Sequence, residues 1–297
     1  MKILVSGASG LVGSALRQVL AGRGAQVLNL TRSPRNSDDI GWDPGAGQLD
    51  PGALEGIEAV VHLAGESIAN GRWTAEQKQR ILNSRVRGTQ LLAETVAGMA
   101  NPPRALISAS AIGYYGDRGS QQLTEDSAAG TLFLSRVCQQ WEEATSPALR
   151  AGIRVVNTRF GVILSREGGA LKKMLTPFRL GLGGRIGDGR QYWSWITLQD
   201  TVRAIDFALQ HDSINGPINV VAPHPVTNSQ FTKSLGRVLH RPTIFPMPAF
   251  AARLALGEMA DELLLASANV IPAQLNAAGF RFLHAELEPA LREVISA

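Results

Sequence analysis

Gly7, Gly10 and Gly13, in the run Gly7-Ala8-Ser9-Gly10-Leu11-Val12-Gly13, carry the spacing G-x-x-G-x-x-G. An aliphatic run at residues 3–5 precedes them, and Leu11, Ala15, Leu16, Val19 and Leu20 follow at helical spacing, so the order reads strand, glycine turn, helix. In that setting Gly7 permits a tight turn, Gly10 lets the main chain approach a pyrophosphate, and Gly13 allows close helix packing. The helix N-terminus adds unpaired N–H donors and a favourable dipole for an anion. A dinucleotide is the ligand this arrangement predicts; a plain glycine loop is the alternative.

The next expected strand, 26–30, ends in Thr31-Arg32 rather than in an acidic residue. A carboxylate there would accept hydrogen bonds from ribose hydroxyls and repel a 2′-phosphate. A guanidinium can instead pair with that phosphate and stack on adenine, so NADP is the expected cofactor, with a merely solvated Arg32 as the alternative. Arg35 is a second candidate, though a loop-borne arginine is more often a surface charge.

Several elements must hold these groups in place. Strands are expected at 58–64, 105–108, 154–158 and 218–221. Helices are expected at 74–99, where Thr74 and Gln77 carry a capping signature, and at 132–149, 197–210, 231–239 and 287–295. Residues 33–56, rich in Gly, Pro, Asp and Asn, read mainly as loop with a short strand at 40–42. Beyond 165 the pattern becomes mixed, with a glycine-dense loop at 181–189 and a proline-punctuated connector at 242–248. The expected fold is α/β: a Rossmann-type doubly wound parallel sheet with a smaller mixed C-terminal lobe. Residues 1–165 would form the dinucleotide-binding domain, with 195–222 returning to it. Residues 166–297 would mostly form a substrate lobe ending in a helical module, 246–297.

Composition narrows the function classes. The chain of 297 residues is 44% hydrophobic and 18% charged, the make-up of a folded protein rather than a disordered one. Its net charge of +4 comes without a long basic run, which argues against nucleic-acid or membrane-surface partners. The single cysteine, Cys138, cannot close an intrachain disulfide, and the five histidines lack metal-ligand spacing, so a metal-free cytoplasmic protein is expected. Residues 263–280 are free of charge but broken by Pro272 and polar side chains, which makes a poor membrane span. The segment before Gly7 is too short and too weakly charged for a signal peptide.

The glycine spacing, Leu63-Ala64-Gly65 at a strand end, Gly187-Asp188-Gly189-Arg190-Gln191 and Trp195-Ile196-Thr197-Leu198-Gln199-Asp200 together resemble the extended short-chain dehydrogenase/reductase superfamily. More narrowly, Ala64-Gly65-Glu66, Arg72-Trp73, Ser84-Arg85, Gly113-Tyr114-Tyr115-Gly116-Asp117, Trp141-Glu142 and Pro177-Phe178-Arg179-Leu180-Gly181-Leu182-Gly183-Gly184 resemble its atypical branch of epimerase-family proteins. Members end in a short C-terminal module of unassigned role, which 246–297 resembles. The resemblance implies a nicotinamide cofactor passing close to Leu63, Ala64 and Gly65, with Arg85 near it and Val162 on its nicotinamide side. The ligand set expected for the cofactor is thus Gly7, Ser9, Gly10, Leu11, Val12, Thr31, Arg32, Leu63, Ala64, Gly65, Arg85 and Val162.

The superfamily's usual proton-moving pair, Tyr-x-x-x-Lys, is absent: Arg118, Gly119 and Ile196 stand four residues after Tyr114, Tyr115 and Tyr192. Aligning Glu142 with the family's downstream acid puts Leu134 and Cys138 at the tyrosine and lysine positions. Ser108 and Ser110 end the strand that supplies the superfamily's catalytic serine, so either is a candidate to hold a substrate oxygen; two small residues easing a strand exit is the alternative. Tyr114, Tyr115, Glu66 and Asp117 are the candidate proton donors. Tyr115 comes first, because it leaves the carboxyl end of a central strand and can act as an acid without a shifted pKa. Arg179, Arg185 and Arg190 lie where related enzymes hold a nucleotide-sugar phosphate. The expected activity is oxidoreductase or epimerase chemistry by hydride transfer on a small-molecule substrate, anionic or sugar-like. A non-catalytic NADP(H) sensor or scaffold is the rival reading.

Overall fold

In the computed structural model, which describes residues 1–296, the glycine turn lies at the middle of an eight-stranded sheet. The chain opens with β1 (Lys2–Ser6), α1 (Leu11–Gly22), β2 (Gln26–Thr31), β3 (Asp39–Asp43) and β4 (Gln48–Leu49), then β5 (Ala59–His62), α2 (Ala75–Ala97) and β6 (Ala105–Ala111). It continues through β7 (Gln122–Leu123), α3 (Phe133–Glu143), α4 (Ser146–Arg150), β8 (Arg154–Phe160), β9 (Val162–Leu164) and α5 (Gly169–Arg179). Next come β10 (Tyr192–Trp193), β11 (Trp195–Thr197), α6 (Leu198–Gln210), β12 (Gly216–Val220), β13 (Val226–Thr227) and α7 (Asn228–Leu239). The tail holds α8 (Ala249–Leu256), α9 (Glu258–Ala260), β14 (Asn269–Val270), α10 (Ala273–Ala277) and α11 (Leu287–Ser296).

The strand order is β12-β8-β6-β5-β1-β2-β3-β4, parallel throughout except for the β3–β4 hairpin. This is the doubly wound α/β architecture. Both sheet faces are buried, as a parallel sheet requires. Ile3, Val5, Val61, Ile107 and Val156 pack with Leu16 and Leu20 of α1 and Ile205 and Leu209 of α6. Leu4, Val60, Leu106 and Val155 pack on the other face with Leu92, Ala93 and Val96 of α2. The order reverses between β1 and β5, the switch point at whose carboxyl ends sheets of this kind form their ligand crevice.

Threonines cap α2, α6 and α7: Thr74, Thr197 and Thr227 each accept a backbone N–H from the third residue on. The stretch expected mainly as loop holds a hairpin as well as its short strand. Asp43 accepts the amides of Gly45 and Ala46, which makes the turn, and buried Trp42 anchors it. The single helix expected at 132–149 is two, because Pro147 at the start of α4 interrupts the hydrogen-bond ladder. The C-terminal tail is not set apart. Leu275 and Phe280 join the core around α1 and α6, and Leu287 and Leu291 of α11 pack with Phe231 and Leu235 of α7. Among the described residues no helix is long and apolar enough to cross a membrane.

Candidate active site at the carboxyl ends of the strands

Gly7 leaves β1 with φ +67°, and a Cβ there would lie 2.8 Å from the Leu63 carbonyl. The turn therefore passes directly against the exit of β5. At Gly13 a Cβ would fall 2.2 Å from the Gly7 oxygen, so only glycine lets α1 start this close to the turn. At Gly10 the constraint is looser, a single contact of 3.2 Å, and the residue is exposed with Ser9 beside it. Gly10 caps α1 without any side-chain hydrogen bond, and no acidic residue stands in the first turn. Unlike the threonine-capped helices, α1 thus keeps its first N–H donors and its dipole for an outside anion. Leu11 and Val12 are half-buried there.

Ser6 ties the two exits together, accepting the amides of Leu63 and Ala64 at 3.1 and 3.3 Å. Arg85 of α2 donates to the Glu66 carbonyl at 3.0 Å and lies over the Trp141 ring. Its Cζ would stand 3.4 Å from a Cβ at Gly65. Arg85 is therefore a brace for the loop after β5 rather than a free helix charge. Arg32 lies exposed just past β2, with no hydrogen bond or ion pair among the described residues, and Thr31 accepts the amide of Ser33. Val162, half-buried, donates its amide to Ser194 where β9 pairs with β11. These residues fit a dinucleotide: an uncapped helix start, a side-chain-free turn and an unpaired guanidinium line one edge of the crevice.

The neighbouring exit of β6 is built differently. Arg159, 3% exposed, donates through Nε and Nη2 to the two carboxylate oxygens of Glu142 at 2.8 Å, and through Nη1 to the Tyr115 hydroxyl and the Glu125 carbonyl. Tyr115 donates to Asn219 at 2.7 Å, and Ser110 donates to Glu142 at 2.6 Å. Burial alone would pull the Arg159 guanidinium down, but the hydrogen bonds and charge of Glu142 push it above its ordinary value. Burial pushes the Tyr115 hydroxyl up to about 12. It also pushes the Cys138 thiol up to about 12, so Cys138 is an inert buried side chain there.

This placement corrects the expectation for Tyr115 as proton donor: it has no exposed surface, and its hydroxyl is held by Asn219 and Arg159. Ser108 and Ser110 do not reach the crevice either, being 0% and 2% exposed. Asp117 is engaged by the amides of Gly119 and Ser267, and Glu66 by Gln77 and Arg80. Tyr114 differs. It is half-buried, its hydroxyl makes no hydrogen bond among the described residues, and the Arg159 guanidinium stands 3.5 Å from its ring centre. Arg159, Glu125 and Asn219 were not anticipated, although an arginine inside a β-branched strand run is a signal that a buried carboxylate must answer it. Arg179, Arg185 and Arg190 are all exposed; Arg185 lines a cavity of about 230 Å³ with Ser229, Thr232 and Lys233. Among the described residues no group of three or more His, Cys, Asp or Glu could hold a metal ion.

A sequence model of the NAD-dependent epimerase/dehydratase family matches residues 3–221, and a domain of unknown function matches 247–294. The chain belongs to that family. This epimerase-family chain is 45% identical over 292 residues to the epimerase family protein Mb2239 of Mycobacterium bovis, covering 97% of itself and 96% of the relative. The crystal structure of the human epimerase family protein SDR39U1 with NADPH superposes at a TM-score of 0.90, with 35% identity, over 100% of this chain and 99% of the human one. A UDP-N-acetylglucosamine 4-epimerase of Bacillus cereus, 17% identical, covers 99% of this chain and 98% of its own at a TM-score of 0.79, a likeness of fold alone.

Proposed function

We propose that this protein binds NADP(H) across the glycine turn and carries out hydride transfer on a small carbonyl or sugar-like substrate, as an oxidoreductase or epimerase of the cytoplasm. The uncapped start of α1 against the Gly7 turn carries the cofactor half of this reading, since it offers main-chain donors where a pyrophosphate would lie. Gly7, Ser9, Gly10, Leu11 and Val12 hold the phosphates, and Thr31 and Arg32 take the adenosine end with its 2′-phosphate. Leu63, Ala64, Gly65, Arg85 and Val162 wall the crevice toward the nicotinamide. That two of the known proteins it resembles in fold are an NADPH-bound family member and a sugar-nucleotide epimerase supports the same class. The cofactor, once bound, supplies the hydride.

What the chain supplies is binding, orientation and a proton. Residues 1–165 and 195–222 form the cofactor side, and 166–297 mostly the substrate side, where Arg185 and Lys233 favour an anionic group. With Tyr115, Ser110 and Ser108 drawn into the core, Tyr114 is the proton donor in this proposal. Ser110 and Tyr115 act through Glu142 and Arg159, which fix the guanidinium over the Tyr114 ring. A second reading, a cofactor-state sensor without turnover, is favoured by one observation: Leu134 and Cys138 occupy the positions of the missing Tyr-x-x-x-Lys pair, and both are buried.

The test is a panel of aldehydes, ketones and sugar nucleotides followed at the NADPH absorbance. Tyr114→Phe should lower kcat about a hundredfold with unchanged NADPH affinity. Tyr115→Phe should instead act mainly on stability. Equal turnover by wild type and Tyr114→Phe removes Tyr114 from the mechanism, and no turnover across the panel supports the sensor reading.

A further inference from the structure

One layer of the central sheet is polar across its four middle strands, between Leu30 of β2 and Pro217 of β12. Ser6, His62, Ser108 and Asn157 stand in register on the adjacent parallel strands β1, β5, β6 and β8. They alternate with Ile3, Val5, Val61, Ile107 and Val156 and so share the face of Leu4, Val60, Leu106 and Val155, beneath α2. The first three have no exposed surface and Asn157 has 9%. The apolar layer below needs no partners, and in the layer above Ser110 and Arg159 are satisfied by Glu142. On this face of the sheet, the middle layer is the one left with unpaired buried atoms.

Hydrogen-bond arithmetic fixes its direction. A serine hydroxyl has two lone pairs and one proton. Ser6 Oγ accepts from the Ala64 amide and shares the Leu63 amide with its own carbonyl, and the arrangement that uses both lone pairs sends its proton to His62 Nδ1, 2.6 Å away. Nδ1 is then an acceptor and the neutral ring carries its proton on Nε2. Burial supports neutrality, holding His62 down to about 4. His62 Nε2, Ser108 Oγ and Asn157 Oδ1 are all buried, and none has a hydrogen-bond partner in the protein. Three unpaired polar atoms on three consecutive strands are not chance leftovers, because buried polar groups are almost always paired. The strands of His62 and Asn157 lie about 10 Å apart, two strand spacings, with only the small Ser108 between them.

We propose that this layer is an internal water site, in which bound water joins His62 Nε2, Ser108 Oγ and Asn157 Oδ1 and completes a chain running from Ser6 to β8. Water is the ligand whose donor and acceptor balance fits: it accepts from the Nε2–H and donates to Asn157 Oδ1, while Ser108 Oγ can do either. A metal cation is excluded, because Nε2 presents a proton. The chain makes His62 a positioning residue. It keeps the Ser6 hydroxyl aimed so that its lone pairs hold the amides of Leu63 and Ala64 against the glycine turn. The inference depends on the sheet alone and stands whether or not the protein turns over a substrate.

Four readouts on the full chain test it. A crystal structure near 1.5 Å resolution should show ordered water within hydrogen-bond distance of at least two of the three atoms, and nitrogen-15 spectra should show His62 protonated at Nε2 and not at Nδ1. Ser108→Ala should lower Tm by about 2–4 °C, a loss of bridged hydrogen bonding, whereas in a dry layer it removes an unpaired hydroxyl and should raise Tm. In the same variant the amides of Leu63 and Ala64 should exchange at least tenfold faster. A layer without water density, an Nδ1–H tautomer or a raised Tm would each overturn the water site. Unchanged exchange at Leu63 and Ala64 would overturn the positioning role.

Discussion

The exits of β1 and β6 lie two strands apart at the same edge of the sheet, yet they are built on opposite principles. At β1 the useful groups are main-chain amides, left open by glycines and by the lack of a capping side chain. At β6 the groups that look reactive, Ser110, Tyr115 and Glu142, are spent on one another and on Arg159 inside the core. Binding by backbone needs only a local turn, whereas proton transfer needs a side chain left free by everything packed around it. In this chain the first condition is met over seven residues, and the second leaves only Tyr114 among the four candidate donors.

The comparison breaks most readily at Glu142. Removing its carboxylate leaves the Arg159 charge 3% exposed and unanswered, so Glu142→Ala should cost about 3–5 kcal/mol in denaturant unfolding. A loss under 1 kcal/mol would show that the β6 exit is not a structural network. Next in size is the pH dependence carried by His62. Burial disfavours the charged ring and pushes it down from the ordinary histidine value of about 6.5 to about 4, so the native state binds fewer protons than the unfolded chain between those values. That contribution is complete above about pH 6.5 and is lost as the pH falls toward 4, by about 3 kcal/mol in all. Unfolding curves at pH 7 and 4.5 for wild type and His62→Gln should show the variant losing less on acidification; parallel losses would mean that the folded protein does not hold His62 below its ordinary range.

At the other exit, Gly10→Val tests the open turn. The position has ordinary backbone angles and one tight contact, so the variant should unfold cooperatively while losing at least about a hundredfold in NADPH affinity, roughly 2.7 kcal/mol. Retained affinity in an isothermal titration would mean that the phosphates do not sit there.

Much of the β1 half was legible in the residues because its signals are local. Gly7, Gly10 and Gly13, the Thr74 cap and the aliphatic strand runs each act within a few positions, and β1, α1, β2, β5 and α2 lie close to where those patterns put them, whereas the unread Thr227 cap starts α7 three residues before the expected helix. The β3–β4 hairpin was hidden in a stretch rich in loop formers, where Asp43 turn chemistry and a single buried Trp42 outweigh weak strand propensity. The β6 half was illegible for a different reason. Tyr115 meets Asn219 across 104 residues, and Arg159 meets Glu125 across 34, so whether a tyrosine is a donor or a core residue is decided by distant segments. Arg159 lies one residue past the strand expected at 154–158, and nothing near it in the chain says which carboxylate answers it.

The central claim, that the glycine turn and Arg32 together hold a 2′-phosphorylated dinucleotide, is tested most directly by calorimetric titration of wild type and Arg32→Ala with NADPH and NADH. A charge-assisted phosphate contact is worth about 1.5–3 kcal/mol. Wild type should bind NADPH more tightly than NADH, and Arg32→Ala should weaken NADPH roughly ten- to a hundredfold while leaving NADH almost untouched. Equal affinities of wild type for the two cofactors, or an Arg32→Ala variant that weakens both alike, would contradict the account.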